Sequence, residues 1–120
     1  MLNNFDRDNE IRASLDYFDE GTKDEEWMRV VASWDSSSVA VCGDGRILRN
    51  KVEKKVLKEC GLMFVYLASG WTNLVWVQFA WKIVKVWPDI VKNVKQVRYP
   101  MVFEVTPRLK IQSRGRISTL

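Results

Sequence analysis

The chain reads as an α/β domain on three observations. Apolar runs of strand length, VAVC (39–42), LMFVYL (62–67) and VFEV (102–105), are separated by longer stretches whose apolar residues recur at helical spacing. Turn-forming residues punctuate them, notably Gly43-Asp44-Gly45 and Gly61. At 120 residues the chain can bury one core but not two. Such alternation predicts a parallel or mostly parallel sheet covered by helices on both faces.

Residues 1–20 form a polar, irregular N-terminal arm, in which Ile11, Ala13 and Leu15 could make one weak strand. Thr22-Lys23-Asp24-Glu25 has the pattern of a capping box, with Thr22 as N-cap and Glu25 at N3. Trp27, Met28, Val30, Val31 and Trp34 give that helix its apolar face. Asp35 to Ser38 is a turn, and Val39 to Cys42 a short buried strand. A second helix starts near Asn50, carries Val52, Val56, Leu57 and Cys60 at helical spacing, and stops at Gly61. After the 62–67 strand, Thr72 or Asn73 caps a long third helix that Pro88 should kink or restart. Its polar residues Gln78, Lys82, Lys85, Asp89 and Lys92 line one narrow stripe, and Trp76, Phe79, Trp81 and Trp87 lie outside it. Val102 to Val105 ends the α/β domain proper, 21–107. Residues 108–120 are a basic C-terminal tail, with room for a short strand at Leu109 to Gln112.

Charge is unevenly spread. Residues 1–60 carry 10 Lys+Arg against 13 Asp+Glu, a balance of −3, whereas residues 61–120 carry 9 against 2, a balance of +7. That asymmetry suits an anionic partner held near a cation site, and it suits a self-complementary oligomer as well. With no histidine, the chain cannot build a Ser-His or Cys-His nucleophile or an imidazole metal site. Any metal would be held by carboxylates, which select hard ions such as Mg²⁺ or Mn²⁺. Cys42 and Cys60 form no CxxC pair and read as buried free thiols. The polar, acidic start MLNNFDRDNE reads as no signal peptide, which suits a reducing cytoplasm. The third helix is too often interrupted by Lys to span a membrane.

Two acid groups carry the functional question. Asp24, Glu25 and Glu26 can be read as first-turn acids complementing a helix dipole, and Asp44 as the middle of a Gly-Asp-Gly turn. Topology gives a second reading. Sites in open α/β sheets lie beyond the carboxyl ends of the strands. Asp44 follows the 39–42 strand, and Asp24 follows the weak 11–15 strand, so both fall on one rim. Carboxylates gathered there would bind Mg²⁺ or Mn²⁺ and activate water against a phosphodiester.

GTKDEEWM, an apolar strand, GDGRILRN leading into an ExxxLxxxG-type helix, and LMFVYL together resemble the PIN-like domain family close to the VapC-type ribonuclease toxins. PDIVKNVKQ…PMVFEVTPRLKI is similar to that family's last helix, strand and basic end, so the likeness runs from about residue 15 to 112. The resemblance implies a three-layer α/β sandwich and a metal-dependent endoribonuclease. It assigns catalysis to Asp24, Glu25 and Asp44, and metal binding to Asp24 and Asp44. Gly43 and Cys42 stand where the family carries Lys and Thr. The family pattern also opens with an Asp-bearing strand and a helix that about twenty residues before Asp24 cannot supply, so the chain reads as N-terminally truncated. The first acid would then come from Asp6, Asp8 or a partner chain.

Arg46, Arg49 and Lys51, with Lys54 and Lys55, are candidate nucleic-acid contacts. Apolar surface left by a missing strand and helix predicts a homodimer. The alternative to a nuclease is a non-catalytic protein on the same scaffold, oligomeric or bound to a cognate antitoxin. A simple RNA-binding module is a third reading.

Overall fold

The computed structural model describes residue 6 and residues 8–120; residues 1–5 and 7 of the N-terminal arm lie outside the described residues. The elements follow the predicted alternation: α1 (Asp24–Trp34), β1 (Val39–Cys42), α2 (Lys51–Cys60), β2 (Met63–Leu67), α3 (Trp76–Gln96), β3 (Met101–Val105) and β4 (Ile111–Arg116). Short 3₁₀ turns lie at Ser14–Asp16, Gly45–Leu48 and Ile117–Thr119.

One mixed sheet takes the order β1-β2-β3-β4. β1 runs parallel to β2, with Val39 opposite Met63 and Cys42 opposite Tyr66. β2 runs parallel to β3, and β4 closes the sheet antiparallel to β3. Alternate residues point to opposite faces. Ala40, Cys42, Phe64, Tyr66 and Val102 therefore share one face, where they pack with Met28 of α1 and with Val56 and Leu57 of α2. Val39, Val65, Leu67, Phe103 and Val105 share the other, covered by Ile83, Val86, Trp87 and Ile90 of α3. Arg29 of α1 donates to Glu59 of α2 at 2.9 Å, joining the two helices of the first face at their surface.

Several local expectations fail, each for a physical reason. The Ile11–Leu15 strand does not form. Ser14–Asp16 is a 3₁₀ turn, Leu15 is exposed, and only Ile11 reaches the apolar core. The capping box at Thr22 is replaced: Lys23 is the N-cap, and the Thr22 hydroxyl donates instead to the Asp19 carbonyl at 2.7 Å. Neither Thr72 nor Asn73 caps α3, because a turn in which Leu74 N–H donates to Trp71 C=O delays the helix to Val75 as N-cap. Pro88 does not break α3. Its own side is exposed, while Val86, Trp87 and Ile90 around it are buried against the sheet and hold the helix through the lost hydrogen bond. Residues 108–120 are not a free tail, since β4 extends the sheet and Ile117 is fully buried in the first core.

The second helix behaves as predicted. Asn50 caps it, its side chain accepting from Val52 N–H (2.9 Å) and Glu53 N–H (3.2 Å), and Gly61 ends it at φ +60. The tryptophans divide. Trp71 is fully buried and donates its indole N–H to the Val105 carbonyl at 3.1 Å, and Trp87 is buried under α3. Trp76, Val77 and Trp81 are 67%, 75% and 58% exposed. Cys42 and Cys60 are free thiols and only half-buried.

This division predicts a contrast in stability. Trp71→Ala should cost about 3–5 kcal/mol, the usual loss for a buried aromatic, while Val77→Ala stays within about 0.5 kcal/mol in the isolated chain. Urea denaturation of the two variants checks this.

Candidate active site

Helix direction gathers the acids. β1, β2 and β3 point the same way, so Cys42, Leu67 and Val105 mark one edge of the sheet. α1 leads into β1 and runs back against it, which puts its first turn on that edge. α2 leaves β1 from the same edge. Asp24, Glu25 and Glu26 of α1, the Gly43-Asp44-Gly45 turn and the first turn of α2 therefore share a rim. Asp24 reaches it without the predicted strand before it.

Side chains meet there. Asp24 accepts from the indole N–H of Trp27 at 2.8 Å, which fixes one of its oxygens within the first turn. Asp44 N-caps the 3₁₀ turn by accepting from Arg46 N–H at 3.0 Å. Gly45 is required at the next position, since a Cβ there would lie 2.6 Å from the Tyr66 hydroxyl of β2. That close approach presses the acidic turn onto the sheet.

Glu53, on the first turn of α2, is the acid that sequence reasoning missed. Its Oε2 is buried without a hydrogen-bond partner. Burial pushes its carboxyl above the ordinary glutamate range, and neighbouring Asp24 and the charges of Asp44 and Glu25 push it further. Cys42 lies within the same field: burial first, then the charges of Asp44, Asp24 and Glu53, raise its thiol. Asp44 moves the other way. The Arg46 hydrogen bond holds its carboxyl below the usual range despite partial burial, and Arg49 adds to this. A signal for Glu53 did exist, because the rim argument applied to α2 selects the acid three residues after its Asn50 cap.

Asp24, Asp44 and Glu25 lie near enough to Glu53 to raise its carboxyl. Asp6 does not join them. It accepts from the indole of Trp87 at 2.9 Å, on the α3 face of the sheet, and Asp8 is exposed beside it. Arg46, predicted as a nucleic-acid contact, is engaged with Asp44, whereas Arg49 and Lys51 are exposed. Beside the turn a cleft of about 280 Å³ opens between Leu48, Arg49, Tyr66, Glu104 and Arg114. Arg114 is ion-paired with Glu104 across its floor.

Residues 2–69 match a family model described as a PIN like domain, a stretch that contains α1, β1, α2, β2 and every acid of the rim. The chain belongs to the PIN-like domain family. No curated protein and no solved structure matches it. α3, β3 and β4 lie outside the matched stretch. No helix among the described residues is long and apolar enough to cross a membrane.

The donor set of the PIN-like rim is all carboxylate oxygen, the set a hard divalent cation takes, and Glu53 Oε2 has no hydrogen-bond partner. Among the described residues no three acids or thiols are drawn together closely enough to hold an ion as they stand.

The raised Glu53 carboxyl has a consequence for stability. The folded chain holds this proton more tightly than the unfolded chain, so the associated stability is present below the unfolded value and is lost as pH rises through the folded one. Glu53→Gln, which mimics the neutral acid, should raise the melting temperature at pH 7 relative to the parent. Below about pH 4 the variant and the parent should melt together, and circular dichroism melts across that range test it.

Proposed function

We propose that this PIN-like domain is a metal-dependent endoribonuclease of the VapC-type kind, working at the rim formed by Asp24, Asp44 and Glu53. The observation that carries the reading is the Glu53 carboxyl, buried without a partner for Oε2 and facing Asp24 and Asp44. Structural acids pair with a cation or face water; an acid held against other acids is typical of functional sites.

Asp24 and Asp44 would hold Mg²⁺ or Mn²⁺, with Glu53 as the third ligand or its neighbour. The ion supplies charge neutralisation at the phosphodiester and an acidified water. Glu53, whose carboxyl keeps its proton to higher pH than an ordinary glutamate, is the group suited to take a proton at the rim and pass it to a leaving oxygen. Glu25 acts on it from the first turn of α1. Arg49 and Lys51, exposed next to the turn, provide phosphate contacts. The cleft beside the turn, lined by Arg49, Tyr66 and Arg114, is a place for part of the RNA strand. The setting is the cytoplasm, where the substrate is.

RNA cleavage by the purified chain should require Mg²⁺ or Mn²⁺, vanish in EDTA, and fall at least about 100-fold in Asp44→Asn and in Glu53→Gln. Gel analysis of a labelled single-stranded RNA reads this. Cleavage that survives EDTA, or that both variants retain, rejects the site.

A second reading rests on α3. Val75, Trp76, Val77 and Trp81 are exposed together at its start, and each large apolar side chain left in water forgoes about 1.5–3 kcal/mol. We propose that a second copy of the chain covers them in a homodimer, and a cognate antitoxin is the alternative occupant. Light scattering at micromolar concentration should give a mass near twice the 14.0 kDa of one chain, and a mass near 14.0 kDa removes the dimer.

A further inference from the structure

The first face of the sheet is only partly roofed. Met28 of α1 and Val56 and Leu57 of α2 close it around Phe64 of β2. Toward β3 and β4 the cover thins to the Gly45–Leu48 turn on one side and Leu120 on the other, and the cleft of about 280 Å³ opens between them. Tyr66 and Glu104 are register partners on β2 and β3, so they stand side by side on its floor. Leu48, Tyr66 and Leu120, half-buried against the first core, make its lining largely apolar. Glu104 interrupts that lining with a carboxylate whose side chain is only 13% exposed. Its Oε2 is paired with Arg114 of β4, and among the described residues nothing donates to Oε1. An apolar cleft with a few convergent polar groups is the usual form of a small-ligand site. At about 280 Å³ it lies just under the roughly 300–1,000 Å³ of sites for drug-sized ligands, which leaves room for one nucleobase.

We infer that this cleft is a subsite for a single guanine base of the RNA, read by Glu104 and Arg114. The inference rests on the endoribonuclease reading above and names the nucleotide it prefers. The guanine edge carries one acceptor, O6, beside two donors, N1–H and N2–H₂. A guanidinium and a carboxylate held side by side match that order: Arg114 donates to O6, and Glu104 accepts from N1–H and N2–H₂. The ion pair orients both groups before the base arrives, which lowers the cost of binding. The other bases fit worse. Adenine sets the N1 lone pair against the carboxylate, uracil flanks its one donor with two carbonyls, and cytosine offers one amine beside an acceptor. Tyr66 and Leu48 supply an apolar wall for the face of the base, the way splayed-out bases of single-stranded RNA are held. Gly45 and Arg49 also border the cleft, so the base enters beside the Gly43-Asp44-Gly45 turn and Arg49 meets its phosphate.

Calorimetric titration of the whole chain in EDTA with GMP, IMP, AMP, CMP and UMP reads the subsite without metal or cleavage. GMP should bind at least about tenfold tighter than AMP, CMP or UMP, the low end of what one bidentate base contact discriminates. IMP, which lacks N2–H₂, should fall between. Glu104→Gln should bring GMP and AMP to within about threefold of each other, while Arg49→Gln should weaken all the nucleotides alike. Arg114→Gln, at an exposed position of β4, should also narrow the preference, and it stands in if circular dichroism shows that Glu104→Gln does not fold. A short single-stranded RNA with one guanosine should bind tighter than GMP. No binding, equal affinity for all the nucleotides, or a GMP preference that Glu104→Gln and Arg114→Gln both retain overturns the guanine subsite. RNA that binds no tighter than GMP overturns the strand in favour of a free guanine nucleotide. A flat nucleotide profile with Mg²⁺-dependent RNA cleavage intact removes the subsite alone. A GMP preference without RNA cleavage under any metal keeps the subsite and removes the nuclease reading.

Discussion

Parallel pairing of β1 with β2, Val39 against Met63 through Cys42 against Tyr66, fixes where every polar group of the rim can be. A parallel pair needs a crossover, and α2 is that crossover, so its first turn must begin on the edge where β1 ends. α1 must enter β1 from the same edge. The buried side chains that hold both helices to the sheet, Met28, Val56 and Leu57 around Phe64, thereby set how far Asp24, Asp44 and Glu53 stand from one another. Three acids from three segments are brought together by apolar contacts on the face behind them. The electrostatic cost of that arrangement falls on Glu53, whose carboxyl is raised by burial and by Asp24 and Asp44.

Arg46 and Trp27 show how the rim tolerates its own charge. Each binds one acid locally, within two or three residues of chain, Arg46 as a counter-charge to Asp44 and Trp27 as a neutral donor to Asp24. Local pairing of this kind needs no long-range packing and is easily undone.

The order of elements was legible because strand-length and helix-length apolar periods differ, and because Asn50 and Gly61 are unambiguous helix boundaries. Asp44 was legible as a rim residue because its flanking glycines mark the end of a strand. Glu53 was not, because a glutamate in the first turn of a helix already has a sufficient local explanation in the dipole, and its true neighbours lie in other segments. Capping patterns at Thr22 and Thr72 misled for a related reason: hydroxyl side chains have several nearby carbonyls and amides to choose from, and tertiary context made the choice. The exposure of Trp76 and Trp81 was equally hidden, since a helix apolar on most sides does not declare which side meets the sheet. Ile117 escaped because a basic stretch around one isoleucine looks solvated until β4 delivers that isoleucine to the core.

Ile117 separates the ancestry of this domain from its mechanical unity. The stretch that identifies the family ends at residue 69, yet Val65 and Leu67 within it are roofed by α3, and Phe64 and Leu57 share a core with Ile117 near the end of the chain. A polypeptide cut at the family boundary would keep every acid of the rim and lose the wall behind β2. What is inherited as a motif can persist as an object only with its unmatched half, and substitutions in that half can disable the rim without touching it.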